Sequence, residues 1–207
     1  MACTITSGRA IDCRDSIGGL KAVFFTNNFC SNILAEATVT STSRIITTAG
    51  FADWDIAASS LTTVLKYDLV TDLSSMTSAV AADKATGAVM FNQTLSLVLQ
   101  KTTAADLFQI GLLSKNRPQI FVQDSNDNVF LMGIEEGCYL TGGDTIATGT
   151  ARTDLNGVSF EFTAMEKDPL YILAASAGPG SGGAPTAKYP FDGLTDEAAL
   201  TITAGTV

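Results

Sequence analysis

The sequence predicts a mainly β fold (α+β): a β-sandwich or barrel with one packed α-helix, long loops and a C-terminal extension. Three observations predict it. Turn-forming residues recur at short intervals, the apolar runs between them alternate with period two, and one stretch carries apolar residues at helical spacing.

After Gly18-Gly19, Leu20 to Phe25 reads as a first strand, closed by Asn27-Asn28. Thr38 to Ala49 is dense in Thr, Ser and Ile, a composition that suits strands or an extended loop. Leu61 to Val70 reads as a strand with Leu61, Thr63, Leu65 and Tyr67 on one face. The longest alternation runs from Val89 to Lys101. Phe91, Gln93, Leu95, Leu97 and Leu99 share one face; Asn92, Thr94, Ser96, Val98 and Gln100 share the other, as in a sheet with one dry and one wetter side.

A helix is predicted from Thr102 or Thr103 to about Lys115. Ala104, Leu107, Phe108, Gly111 and Leu112 form one apolar stripe, the kind that faces a core. Thr103 and Asp106 have capping-box spacing, Lys115 and Arg117 favour the negative helix end, and Pro118 prevents continuation. A hairpin follows, Gln119 to Gln123 and Val129 to Gly133, around the turn formers Asp124 to Asn128. That acidic turn lacks the frame and terminal glutamate of an EF-hand, so no metal is assigned to it. Tyr139 to Gly157 reads as a Gly/Thr/Asp-rich connection, mobile when unpartnered. Val158 to Ala164 is a strand with Val158, Phe160 and Phe162 inward. The domain is therefore expected over residues 1–173, followed by an Ala/Gly/Ser/Pro-rich linker (174–187). A C-terminal arm (188–207) either packs back on the parent domain or docks on a neighbour.

Composition narrows the chemistry. The chain has 207 residues, 46% hydrophobic and 16% charged, enough apolar content for a core and unusually little surface charge. A formal net charge of −9 disfavours binding to phosphate backbones. Histidine is absent, which removes the commonest general base and zinc ligand and the Ser-His and Cys-His pairs. Cys3, Cys13, Cys30 and Cys138 form no C-x-x-C pair; a disulfide near the N-terminus and reduced thiols both fit, and the lack of a signal-peptide pattern favours the latter. No run approaches the ~18 apolar residues of a membrane span, so synthesis and folding in the cytoplasm are expected. The glycine-rich stretches lack the residues of a phosphate loop, and Asp53, Asp55, Glu135 and Glu136 are near one another in sequence only. Neither catalysis nor a cofactor is expected. Trp54 reads as a packing or interface anchor rather than a ligand platform.

Two stretches carry a family resemblance. One is Cys3-Thr4-Ile5-Thr6-Ser7-Gly8-Arg9-Ala10-Ile11-Asp12-Cys13-Arg14-Asp15, followed by Gly18 to Phe25. The other, Leu95 to Ala164, has the succession of strand, Thr-Ala-Ala-Asp helix, hairpin and Asp154-Leu155-Asn156-Gly157 turn into a last strand. On these, about half of the chain, the sequence resembles the major tail or tail-tube proteins of tailed bacteriophages. The resemblance implies a non-enzymatic virion subunit, assembled in the host cytoplasm, whose sheets join edge to edge into hexameric rings. The rings stack into a tail tube beside other tail proteins, and DNA passes through without specific binding. Segments 41–56, 140–156 and 174–207 are then candidate arms. Asp53, Trp54, Tyr139, Arg152, Tyr189 and Phe191, in or beside them, are the candidate assembly-interface residues. Two other expectations stay open: a head-decoration or connector-ring subunit, and a surface carbohydrate-binding β-domain using Trp54 and the Asp124 to Asn128 turn.

Overall fold

The computed structural model of the chain describes residues 16–27, 29, 45–46, 63–101, 103–143, 146–173, 189–191 and 200–204. In chain order these form β1 (Leu20–Thr26), β2 (Ile45–Ile46), β3 (Thr63–Asp68), β4 (Ser75–Asp83), β5 (Ala88–Gln100), α1 (Ala104–Leu113), β6 (Ile120–Asp124), β7 (Val129–Met132), β8 (Tyr139–Gly142), β9 (Gly157–Glu166), β10 (Tyr171–Leu173) and β11 (Thr201–Ala204). The strands make two open sheets. Sheet A has the order β11-β3-β1-β6-β7-β10-β2 and sheet B the order β4-β5-β9-β8. Neither closes into a barrel, and the fold is mainly β with one helix among the described residues.

Sheet A is the middle layer, which is why its central strands are apolar on both sides. Toward sheet B, Val23, Phe25, Val122 and Met132 meet Leu95, Leu97, Phe160 and Phe162, with Ile110 and Leu113 of α1 at the margin. On the far side, Ala22, Phe24, Phe121 and Leu131 are closed over by Phe191 and Leu200. Leu20 lies in the same layer as Val23, three residues on, because a register shift between Leu20 and Ala22 adds one residue against β6. Each buried phenylalanine contributes about 2 kcal/mol through its removed area alone. Their rings also pack edge on: Phe191 stands at 86° to Phe121, 4.9 Å between centroids, and at 88° to Phe24, 5.6 Å.

The C-terminal segment thus returns to its own domain, and β11 pairs in parallel with β3 from Thr201↔Thr63 to Ala204↔Lys66. Phe191, expected as an interface residue, is a core residue 2% exposed. The reason is size: sheet A has an apolar second face that no other described element covers as fully.

The helix has the expected limits and the expected cap. Thr103 Oγ1 accepts from the Asp106 amide, and Asp106 Oδ2 accepts from the Thr103 amide at 2.8 Å. Its orientation differs from the expected one. Ile110 and Leu113 are buried, whereas Leu107, Phe108 and Leu112 of the predicted stripe are exposed, Phe108 at 67%. A stripe reports that a face is apolar; the crossing of α1 at the edge of the sandwich decides which pair of residues reaches the core. A second difference is β8. The stretch expected to be a mobile connection begins with a strand, Tyr139–Gly142, that hydrogen-bonds to β9. A third is β4, a nine-residue strand unseen in the sequence, because Met76 and Val80 are its only large apolar residues among Ser, Thr and Ala.

Candidate assembly surface

Sheet B is the exposed layer. β5 runs its full length against β9, from Phe91↔Glu166 to Gln100↔Gly157, and against β4, from Ser75↔Ser96 to Asp83↔Ala88. Strand alternation sends Leu95, Leu97, Val158, Phe160 and Phe162 inward. The registers place Ser75, Thr77 and Ala79 of β4 beside Ser96, Thr94 and Asn92 of β5, and those beside Glu161, Thr163 and Met165 of β9, on the outward side. Tyr139 of β8 lies opposite Thr163. This outer face is mostly small and polar, with Met165 and Tyr139 exposed toward its β8 side, and no described element covers it. A shallow recess of about 350 Å³ lies on it, lined by Asn92, Thr94, Glu136, Tyr139, Thr163 and Met165 among others.

The charges of the sheet are one-sided. Across β4, β5, β8 and β9 the ionisable acids are Asp83, Glu161 and Glu166, and no Lys or Arg occurs. The strands themselves thus offer no cation to a phosphate, and Arg117 reaches the sheet at the Tyr139 hydroxyl.

Two buried polar side chains tie sheet B to the hairpin of sheet A. Gln93, 2% exposed among leucines, accepts from the Gly133 amide at 3.1 Å. Glu166 at the end of β9 is 1% exposed, and both its oxygens lie within 3.3 Å of the Glu135 amide. Burial pushes the Glu166 carboxyl above the usual glutamate range. The Glu135 and Glu136 amides pull it down, and the two neighbouring carboxylates push it up again. Glu135 itself is paired with Lys167 at 3.0 Å. Cys138, fully buried beside this group, is a free thiol whose pKa burial raises well above the ordinary value.

Among the described residues no strand pairs with either outer edge of sheet B. β4 is regular in register, without bulge or proline, and carries no charge from Ser75 to Ala82. Natural sheets blunt edges with lysine, proline, bulges or a covering loop, and this edge has none of these within the strand. β8 at the other edge is shorter, with a register shift between Leu140 and Gly142.

Of the residues singled out in the sequence, Tyr139 lies on the β8 edge, 46% exposed, its hydroxyl 3.4 Å from Arg117 Nη1. Arg152 is exposed in the loop before β9, and Tyr189 is half-buried next to Phe191. The structure does not gather these residues into one site, and Asp53 and Trp54 lie outside the described residues. So do Cys3, Cys13 and Cys30, the segment 174–187, and most of segment 41–56. The sequence reading missed β4, whose uniform Ser/Thr/Ala content gives no periodic signal, and Glu166, whose burial depends on a turn distant in sequence.

The Asp124 turn is occupied by its own hairpin. Asp124 Oδ1 accepts from the amides of Asn126 and Asn128, at 2.9 and 2.7 Å, and Asp127 Oδ1 is 2.7 Å from Lys21 Nζ. Among the described residues no group of three acidic, histidine or cysteine side chains is placed to hold a metal ion, and no helix is long and apolar enough to cross a membrane.

No protein-family model matches the chain, and no curated protein does. Among solved structures, a chain from the virion of a native gene transfer agent particle is similar over 50% of this chain and 84% of its own length. The two are 7% identical, with a TM-score of 0.32.

Proposed function

We propose that this chain is a non-enzymatic virion structural protein whose copies form rings, stacked into a tail tube through which DNA passes. The observation that carries it is sheet B: four antiparallel strands, a regular uncharged β4 edge that no described element covers, and an outer face whose strands contain no Lys or Arg. In an antiparallel sheet with an even number of strands the two edge strands run in opposite directions. β8 of one copy therefore meets β4 of the next as another antiparallel pair, and the pattern closes into a ring with every edge satisfied. Roughly 24 strands, from a hexamer at about 4.8 Å each, enclose a cylinder on the order of 37 Å across before tilt. That width passes a hydrated duplex. A lumen lined by Ser, Thr and Asn, with Glu161 as the strand carboxylate along it, gives phosphate little to bind and lets DNA slide. The resemblance of the N-terminal and Leu95 to Ala164 stretches to tail-tube proteins points the same way.

The test is sedimentation and negative-stain imaging of the purified chain, with Ser78→Lys as the edge variant. Rings or tubes are expected for the parent, and dispersed monomers with unchanged circular dichroism for Ser78→Lys, since a lysine on an edge blocks strand addition. A parent that stays monomeric at high concentration, or a Ser78→Lys variant that still forms rings, contradicts the proposal.

A further inference from the structure

Two features at opposite ends of sheet B stand uncovered among the described residues. At one end the β4–β5 hairpin projects past the sandwich. Every residue from Ala79 to Ala88 is exposed, and Val80 and Val89 are 64% and 53% exposed. The projection is nonetheless built rather than frayed. Asp83 Oδ1 accepts from the Ala85 amide at 2.8 Å and Oδ2 from Thr86 Oγ1 at 3.1 Å. The Gly87 amide bonds back to Asp83 O, with Gly87 at φ +71° supplying the left-handed turn residue. Lys84 stands at the tip and pairs with no carboxylate among the described residues.

At the other end, 13 residues of β5 away and so about 44 Å distant, lies a recess of about 470 Å³. Leu73, Gln100, Lys101 and the loop Thr153 to Asn156 line it. Leu73 and Val70 are 40% and 47% exposed. The loop is held by Asp154, whose Oδ2 accepts from the amides of Thr150 and Ala151 at 2.8 and 2.7 Å. Asp72 stands in the adjoining turn, exposed, and Asp154 adds a second negative charge to set against Lys101.

We infer that the β4–β5 hairpin tip of one copy seats in the Leu73–Leu155 recess of a second copy, forming the ring-to-ring contact. The occupant follows from complementarity. Lys84 brings a free cation to Asp72 and Asp154, and Val80 and Val89 bring apolar surface to Leu73 and Val70. It also follows from geometry: a contact joining opposite ends of the same sheet is head-to-tail, so it repeats without closing and produces a stack. One such contact is well below the ~800 Å² per partner of a stable pair. Stacking therefore depends on several contacts acting together around a ring. The inference rests on the tube reading for its setting, but the contact itself is separately testable.

Photo-cross-linking tests it, with p-benzoylphenylalanine at position 85 in the full chain at high concentration and mass spectrometry of the adducts. Inter-chain adducts at Leu73 or at 153–156 are expected, and adducts absent from that region overturn the contact whether or not rings form. Adducts without rings retain the contact and sink the ring reading. Rings whose tips cross-link elsewhere do the reverse. Lys84→Glu is expected to raise the concentration needed for stacking about tenfold while single rings persist, and Lys84→Glu with Asp72→Lys to restore it. Unchanged stacking in Lys84→Glu overturns the proposed charge pairing.

Discussion

Sheets A and B are built from the same residue types to opposite ends. Sheet A is apolar on both faces and sealed, by sheet B and α1 on one side and by Phe191 and Leu200 on the other. Sheet B is apolar on one face only, and no described element covers its other face or pairs with its outer edges. Sheet A therefore carries the stability of the domain, and sheet B carries its surface. The difference teaches where substitution acts: in sheet A it unfolds the chain, and on the outer face of sheet B it changes what the folded chain touches.

Phe121→Ala probes the sealed layer most severely. Phe121 is fully buried and packs its ring on Phe191, so a loss of about 4 kcal/mol is expected in denaturant unfolding. A loss near 1 kcal/mol would mean that the C-terminal segment does not seal sheet A.

Gly157→Ala probes the join between β5 and β9. A Cβ there would collide with the carbonyl oxygen of Leu99, the neighbour of its cross-strand partner Gln100, and the strands cannot part without losing the ladder. About 3 kcal/mol of destabilisation is expected by thermal unfolding. A silent substitution would show that this end of sheet B is loose.

Glu166 connects the two sheets and sets a pH dependence. Its folded pKa is raised, so its contribution to stability is complete below the ordinary glutamate value and is lost as pH rises through the folded one. Asp83 and Asp154 act in the opposite sense. Their backbone-bonded carboxylates are held below the ordinary range, so their contribution is present at neutral pH and is lost on acidification. Melting curves of Glu166→Gln against the parent are expected to converge in mild acid and separate above it, with the variant the more stable. Parallel curves across that range would remove Glu166 from the account.

Thr94→Lys with Thr163→Lys changes stability least, by about 0.5 kcal/mol or less, because both side chains lie on the open face. The same pair is expected to add salt-dependent retention of DNA, measured as slower passage or as binding in low salt. No gain in binding would mean that this face does not meet DNA.

How much of this was legible follows from where each signal comes from. β5 and β9 alternate between a core face and an outer face, so their faces could be read residue by residue, and the β6–β7 hairpin was readable from its two apolar runs around the Asp124 to Asn128 turn. The helix limits were readable because Thr103, Asp106 and Pro118 act locally. Its buried face was not, since Ile110 and Leu113 owe their burial to a crossing angle set by sheet B. β4 lies at an edge with only Met76 packed against the core, so one buried contact in nine residues leaves no periodic pattern to read. Phe191 looked like an exposed arm residue because the aromatic pair it joins, Phe24 and Phe121, is far away in sequence.

The most direct test of the central claim is a cryo-EM reconstruction of the assembled chain at a resolution that separates strands. The account predicts a continuous antiparallel barrel, β8 beside the neighbour's β4, with Asn92, Thr94 and Thr163 facing an empty lumen. An assembly with sheet B on its outer wall, or with β4 left unpaired, would contradict it.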